Sequence, residues 1–269
     1  MPAPADVPLF DTHCHLDDAQ FDDDRDGVVA RARGAGVEAI LAVGTTCALS
    51  RVCIDLAARY DLVSAAVGIQ PNGCGESSDG DWDHIVALAD KPHVVALGET
   101  GLDRYWDDTP FDVQQDFFDR HLRLAQQRDL PIIVHMRDCE ADTLEMLRAA
   151  RARGPLRGVM HAFSGSEPGA AECMELGLHV SFAGMVTYKN SIELRQIAAA
   201  IPANRILIET DAPYLSPHPK RGQRPNEPAR LIHTATCLAE QRGESIASFA
   251  RQTTENARTL FRLGSGLDL

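Results

Sequence analysis

The chain has 269 residues, 44% hydrophobic and 24% charged, with a formal net charge of −13. That length suits one α/β barrel with a core that needs no staples, and the charge excludes a broad nucleic-acid-coating face, which requires a basic surface. A nucleic-acid substrate held locally at a metal site stays open. The seven cysteines are scattered and odd in number, which predicts reduced thiols in a cytoplasm rather than a disulfide framework. No apolar run approaches the roughly 20 residues of a membrane span. The Pro/Ala-rich start, Met1 to Phe10, lacks a basic stretch followed by a long apolar one, so no signal peptide is expected.

Short apolar runs alternate with longer segments of helical pattern. A strand is predicted over 7–12, a helix over 22–34, a strand over 38–44 and a helix over 46–60. The strand 63–69 precedes a helix over 81–90, and the strand 94–99 precedes a helix over 111–128 whose Phe111, Phe118, Leu122 and Ala125 form one apolar stripe. Strands over 131–135, 158–163, 179–184 and 205–210 alternate with helices over 138–152, 166–176, 190–200 and 226–242, and a last helix spans 244–262. Most of the strands are apolar on both faces, as in a buried parallel sheet. Eight such strands alternating with helices predict a (β/α)8 TIM barrel, one domain over 1–269. A doubly wound open sheet is the alternative, because periodicity does not show closure.

The first strand ends in Asp11-Thr12-His13-Cys14-His15. Residues two apart on a strand face the same way, so both imidazoles can grip one ion while Cys14 points away. Glu99 ends the fourth strand, His135 the fifth, His161 lies near the end of the sixth, and Asp211 follows the eighth. Barrel enzymes keep their active sites at these C-terminal ends. Each residue alone has a bland reading: a core histidine, a partner for an arginine, a turn-former before Ala212-Pro213. Together they converge. Four imidazoles and two carboxylates suit borderline or moderately hard divalent ions. Six donors exceed the set for one catalytic zinc, so the metal site is predicted to hold two divalent ions (Zn, Mg or Mn).

Four further segments carry polar groups near these ends. Asp103, in the glycine-flanked turn 98–103, reads either as an orienting group for a ligand or as a helix cap. Arg137 reads as a contact to an anionic substrate or as a surface salt bridge. Ser164-Gly165-Ser166 can present N–H groups to an anion at a helix start, or serve only as a cap. Lys220-Arg221-Gly222-Gln223-Arg224 is the one dense basic cluster of an acidic chain, and Arg221 is its candidate phosphate contact.

DTHCHL at 11–16, GETGLD at 98–103, PIIVHMRD at 131–138, HAFSGS at 161–166, SFAG at 181–184, ETDAPYL at 209–215, RGQRPNEP at 221–228 and TTENARTLF at 253–261 together resemble the TatD family of metal-dependent deoxyribonucleases, within the amidohydrolase-like barrels. The resemblance covers nearly the whole chain. It implies a (β/α)8 barrel, a divalent metal site and hydrolysis of DNA phosphodiester bonds. Carried over, His13, His15, Glu99, His135, His161 and Asp211 take the metal-ligand positions, with Glu99 in place of the bridging carboxylated lysine of many other amidohydrolases. The family pattern G-x-H-P reads Gly68-Ile69-Gln70-Pro71 here. Gln70 can donate to a phosphate oxygen but cannot shuttle a proton at ordinary pH. Pro225 stands as an insertion before Asn226-Glu227-Pro228, and Met136 replaces a residue that is more often small and polar.

The leading expectation is hydrolysis of DNA from a 3′ end by a metal-activated water that Asp211 orients, with Glu99 the second catalytic carboxylate and Gln70, Arg137 and Arg221 binding substrate. DNA single strands or ends are the expected partner, for a monomer or weak homo-oligomer. A rival keeps the site and changes the bond to an ester, lactone or amide, including deacylation of aminoacyl-tRNA. A reading of another class is a non-catalytic metal-binding scaffold, disfavoured because every ligand position is filled.

Overall fold

Continuous apolar runs and glycine-punctuated turns give strands where period and composition predict them. The computed structural model describes residues 7–264. Residues 1–6, which belong to the stretch read above for a signal peptide, lie outside the described residues.

In chain order the elements are β1 (Leu9–Cys14), α1 (Arg25–Gly34), β2 (Val37–Val43), α2 (Cys47–Arg59), β3 (Val63–Val67), α3 (Asp81–Leu88), β4 (Val94–Asp103), α4 (Phe111–Arg128) and β5 (Ile132–Arg137). There follow α5 (Glu140–Arg153), β6 (Gly158–Met160), α6 (Glu167–Glu175), β7 (Leu178–Phe182), α7 (Ile192–Ala200), β8 (Ile206–Ile208), α8 (Leu231–Arg242) and α9 (Ile246–Phe261). The strands form one eight-stranded sheet in the order β1 to β8. The segment after β8 returns to β1: the Asp211 N–H donates to the His13 carbonyl at 2.9 Å and the His15 N–H to the Ala212 carbonyl at 2.8 Å. The fold is therefore the (β/α)8 barrel, and the open-sheet alternative falls.

Several boundaries differ from expectation, most visibly those of β4, β6 and α8. β4 runs to Asp103 instead of ending at Glu99, because two glycines let it stay against β5. Gly98 has φ +129°, and a Cβ there would stand 2.6 Å from the Ile133 carbonyl oxygen; Gly101 has φ +141°, and its Cβ would stand 2.0 Å from the His135 carbonyl oxygen. Only glycine tolerates that backbone and that approach. The pairing slips between Leu97 and Thr100, then Gly101 faces His135 and Asp103 faces Arg137. β6 stops at Met160, so His161 follows the strand instead of lying within it, although its N–H still donates to the Val134 carbonyl at 3.1 Å. α8 begins at Leu231 and not at 226, after a 3-10 turn over Pro228–Arg230.

Two compact units divide the chain, Met1–Leu41 with Val180–Leu269, and Ala42–His179. In the first, α9 buries Phe249, Leu260 and Phe261, and Phe261 meets Phe10 at a ring distance of 5.9 Å. The Asn256 side chain donates to the Ile206 carbonyl at 2.9 Å and the Ala203 carbonyl at 2.7 Å, tying α9 to β8. The TTENARTLF segment thus holds the frame on which Asp211 stands. In the second unit α4 buries Phe118, Leu122 and Ala125, the predicted stripe; Phe111 lies instead beneath the Arg104 guanidinium, 3.6 Å from its ring centre.

Candidate metal centre

In the first unit, alternation along β1 places His13 and His15 side by side. Their Nε2 atoms are 3.3 Å apart. Asp211 Oδ1 lies 3.7 Å from His13 Nε2 and 3.5 Å from His15 Nε2. Four donors spaced tetrahedrally about 2.1 Å from an ion sit about 3.4 Å apart, so the three measured separations fit one cation. Asp211 adopts φ +52°, a left-handed turn that aspartate tolerates better than most residues, and its backbone bond to His13 fixes it there. Both histidines are buried, and the Asp211 side chain is 13% exposed.

Asp11, which the sequence reading left without a role, lies two residues before His13 and is fully buried. It accepts from the Thr210 N–H at 2.8 Å and the Thr210 hydroxyl at 2.5 Å. Burial pushes its carboxyl up to about 7, against the lowering effect of the Thr210 bonds. It fastens β1 to the segment that leads into Asp211.

In the second unit, Glu99 Oε1 receives two imidazoles, His135 Nδ1 at 2.8 Å and His161 Nε2 at 3.1 Å, and those two nitrogens are 3.3 Å apart. Glu99 and His161 are buried, and the His135 side chain is 19% exposed. The other His135 nitrogen, Nε2, is 2.9 Å from Asp103 Oδ2. Of the two readings of Asp103 the orienting one has its contact, to His135; the capping one does not hold, since instead of capping a helix it accepts the N–H groups of Tyr105 at 2.8 Å and Trp106 at 3.0 Å. Burial works to raise the Asp103 carboxyl, but the bonds from His135, Trp106 and Asn72 outweigh it and hold it below the usual carboxylate range. His135 moves the other way: burial works to lower it, and the bonds to Asp103 and Glu99 raise it.

Gln70 lies on the turn after β3; its N–H donates to the Thr45 carbonyl at 3.0 Å, and Asn72 of the same turn donates to Asp103 Oδ2 at 3.3 Å. The neighbouring Ile69 N–H donates to Nε2 of the buried His121 at 3.1 Å. Arg137 makes no ion pair among the described residues; its guanidinium lies 3.6 Å over the Tyr105 ring. Arg221 stacks 4.1 Å over the Tyr188 ring, in the first unit. Ser166 caps α6 by accepting from the Gly169 N–H at 3.1 Å. Its own N–H and hydroxyl go to Glu140 at 2.7 and 2.6 Å. That carboxylate already occupies the supposed anion position, so the capping reading holds there.

The described residues also offer groups that the sequence reading passed over: Asp11, Asn72, Tyr105 and Trp106. Asp11 had a signal in its i−2 spacing from His13; the others depend on where the loops meet.

A model of the TatD-related DNase family matches residues 10–262. The chain belongs to the TatD family. It is a metal-dependent hydrolase of that family. It is 40% identical over 255 residues to the "uncharacterized metal-dependent hydrolase YabD" of Bacillus subtilis, across 95% of this chain and 99% of the relative. It is 38% identical over 259 residues to the "3'-5' ssDNA/RNA exonuclease TatD" of Salmonella typhimurium, again across 95% and 99%. Among solved structures, the TatD homologue YjjV of Escherichia coli superposes with a TM-score of 0.89 at 32% identity, over 96% of this chain and 99% of that one. Within this TatD-family chain, the departure at Gln70 falls on the turn that Asn72 joins to Asp103. Among the described residues no helix is long and apolar enough to cross a membrane.

Proposed function

We propose that the protein is a metal-dependent exonuclease that removes nucleotides from the 3′ ends of single-stranded DNA or RNA. The observation that carries this is the pair of imidazole–carboxylate sets, His13/His15/Asp211 and Glu99/His135/His161. Each has the donor chemistry for a divalent cation. The choice of substrate rests on the 38% identical relatives named as 3′–5′ ssDNA/RNA exonucleases. The donor types suit Zn, Mg or Mn, and each set is proposed to hold one ion. When bound, they supply an acidified water and a positive clamp for phosphoryl oxygens.

The side chains do the rest. Asp211, next to two imidazoles and open at its edge, accepts the proton of the attacking water. Asp103 keeps the His135 proton on Nε2, so that Nδ1 presents a lone pair beside Glu99. Gln70 donates an amide N–H to a phosphate oxygen, and Arg137 and Arg221 each offer a guanidinium to the phosphates of the strand. Gln70 in place of a histidine favours a second reading, hydrolysis of a non-phosphate ester, since no proton can move at that position. The two separate on 3′-labelled single-stranded DNA with added Mg, Mn or Zn. The nuclease reading expects label release that a His135→Ala/His161→Ala variant loses. Turnover of carboxylic esters with no release from DNA overturns it in favour of the second.

A further inference from the structure

Among the described residues four large apolar side chains are strongly exposed, and two of them are neighbours, Tyr105 at 53% and Trp106 at 48%. Exposed aromatics that stand together mark a contact surface more often than isolated ones do. Their turn is built. Asp103 Oδ1 accepts both of their N–H groups, while Asp103 Oδ2 meets His135 Nε2 at 2.9 Å. One carboxylate therefore sets both the aromatic turn and an imidazole of the Glu99–His135–His161 set. Arg137 lies two residues beyond His135 on the same strand face. Its guanidinium is 3.6 Å over Tyr105 and 5.7 Å from the Trp106 ring centre, and the two rings are nearly perpendicular at 88°.

We propose that Trp106 and the Tyr105–Arg137 stack form a platform for one unpaired nucleobase, that of the nucleotide next to the scissile phosphate. This rests on the nuclease reading above and names what that site selects. A π-face and a guanidinium plane take a flat, aromatic ligand. Asp107 and Asp108 follow directly in sequence and repel a phosphate, so the base is placed on the rings while the phosphate stays at the metal donors. A base stacked inside a duplex has no free face to offer, and the platform thereby selects unpaired ends.

Trp82 and Trp106 are the only tryptophans. In a Trp82→Phe background, which keeps an aromatic ring against Phe117 and His121, emission reports Trp106 alone. The proposal expects quenching by an oligo-dT strand and none by an abasic strand of equal length. Wild type is expected to favour dT over abasic strands in KM by about 5- to 150-fold, the range of single base–aromatic contacts, and Trp106→Ala to bring that ratio close to one. Arg137→Lys, which keeps charge but not the plane, is expected to reduce the ratio as well. Equal quenching by both strands, or a dT/abasic ratio unchanged in Trp106→Ala, overturns the platform while leaving the nuclease reading intact. If wild type neither binds nor cleaves any strand, the nuclease reading fails and the platform with it.

Discussion

Replacing Asp103 by asparagine changes one oxygen to an N–H₂ group and almost no volume. The consequence is large because of what that oxygen meets. Asp103 Oδ2 stands 2.9 Å from His135 Nε2, and His135 Nδ1 stands 2.8 Å from Glu99 Oε1. In wild type the carboxylate accepts the Nε2 proton, which leaves the Nδ1 lone pair for a cation. An asparagine that still serves the Tyr105 and Trp106 N–H groups through its oxygen must aim its amide N–H at Nε2. Two donors then face each other, or the imidazole moves its proton to Nδ1 and no longer offers a lone pair there. A hydrogen bond to a charged group contributes about 1.5–3 kcal/mol, or about 10- to 150-fold in an equilibrium constant. Loss of the carboxylate behind a metal-bound histidine typically costs about 10- to 100-fold in affinity or activity. We expect Asp103→Asn to weaken binding of one divalent ion by that factor in a competition titration against a chromophoric chelator, with an unchanged circular dichroism spectrum. Affinity and turnover both within about threefold of wild type would refute the reasoning.

Other outcomes follow from single contacts. Gly101→Ala forces a Cβ onto the His135 carbonyl at a left-handed φ; a destabilisation of about 2 kcal/mol or more is expected by thermal or denaturant unfolding, together with loss of metal binding. Ser166→Ala removes the cap of α6 and is expected to cost about 1 kcal/mol without altering KM for DNA; a large rise in KM would restore the anion reading of that loop. His121 is buried and its imidazole is pushed down to about 4, so the folded state binds fewer protons than the unfolded chain between about pH 6.5 and 4. Its contribution is complete above the unfolded value and is lost as pH falls through that window, by up to about 3 kcal/mol. His121→Gln is expected to flatten the fall of the melting temperature between pH 7 and pH 4.5, and an equally steep fall in the variant would contradict the assignment.

The alternation of apolar runs and helical stretches made the barrel legible, because both faces of a parallel strand are buried and the runs are continuous. Closure was not legible; it depends on the bonds joining Asp211 and Ala212 to β1. The i, i+2 spacing of His13 and His15 translated directly into two nitrogens 3.3 Å apart. The end of β4 did not, since the hydrophobic run stops at Glu99 while the glycines at 98 and 101 carry the strand further. Asp103 was visible as a polar residue in a turn, but its choice of partners was set by the β4–β5 register. Glu140, distant in sequence from Ser166 and with no motif of its own, decided the fate of that loop. Nothing in the sequence sets Tyr105 and Trp106 apart, because exposure depends on what the fold leaves uncovered.

Two divalent ions held by His13, His15, Glu99, His135, His161 and Asp211 are proposed to give the protein its hydrolase activity. Metal content of the purified protein, measured per chain by elemental analysis alongside single-stranded DNA hydrolysis, tests it most directly. Close to two ions are expected per wild-type chain, and about one in both His13→Ala/His15→Ala and His135→Ala/His161→Ala, with hydrolysis lost in each. Two ions retained in either double variant, or hydrolysis that survives complete removal of metal by a chelator, would contradict it.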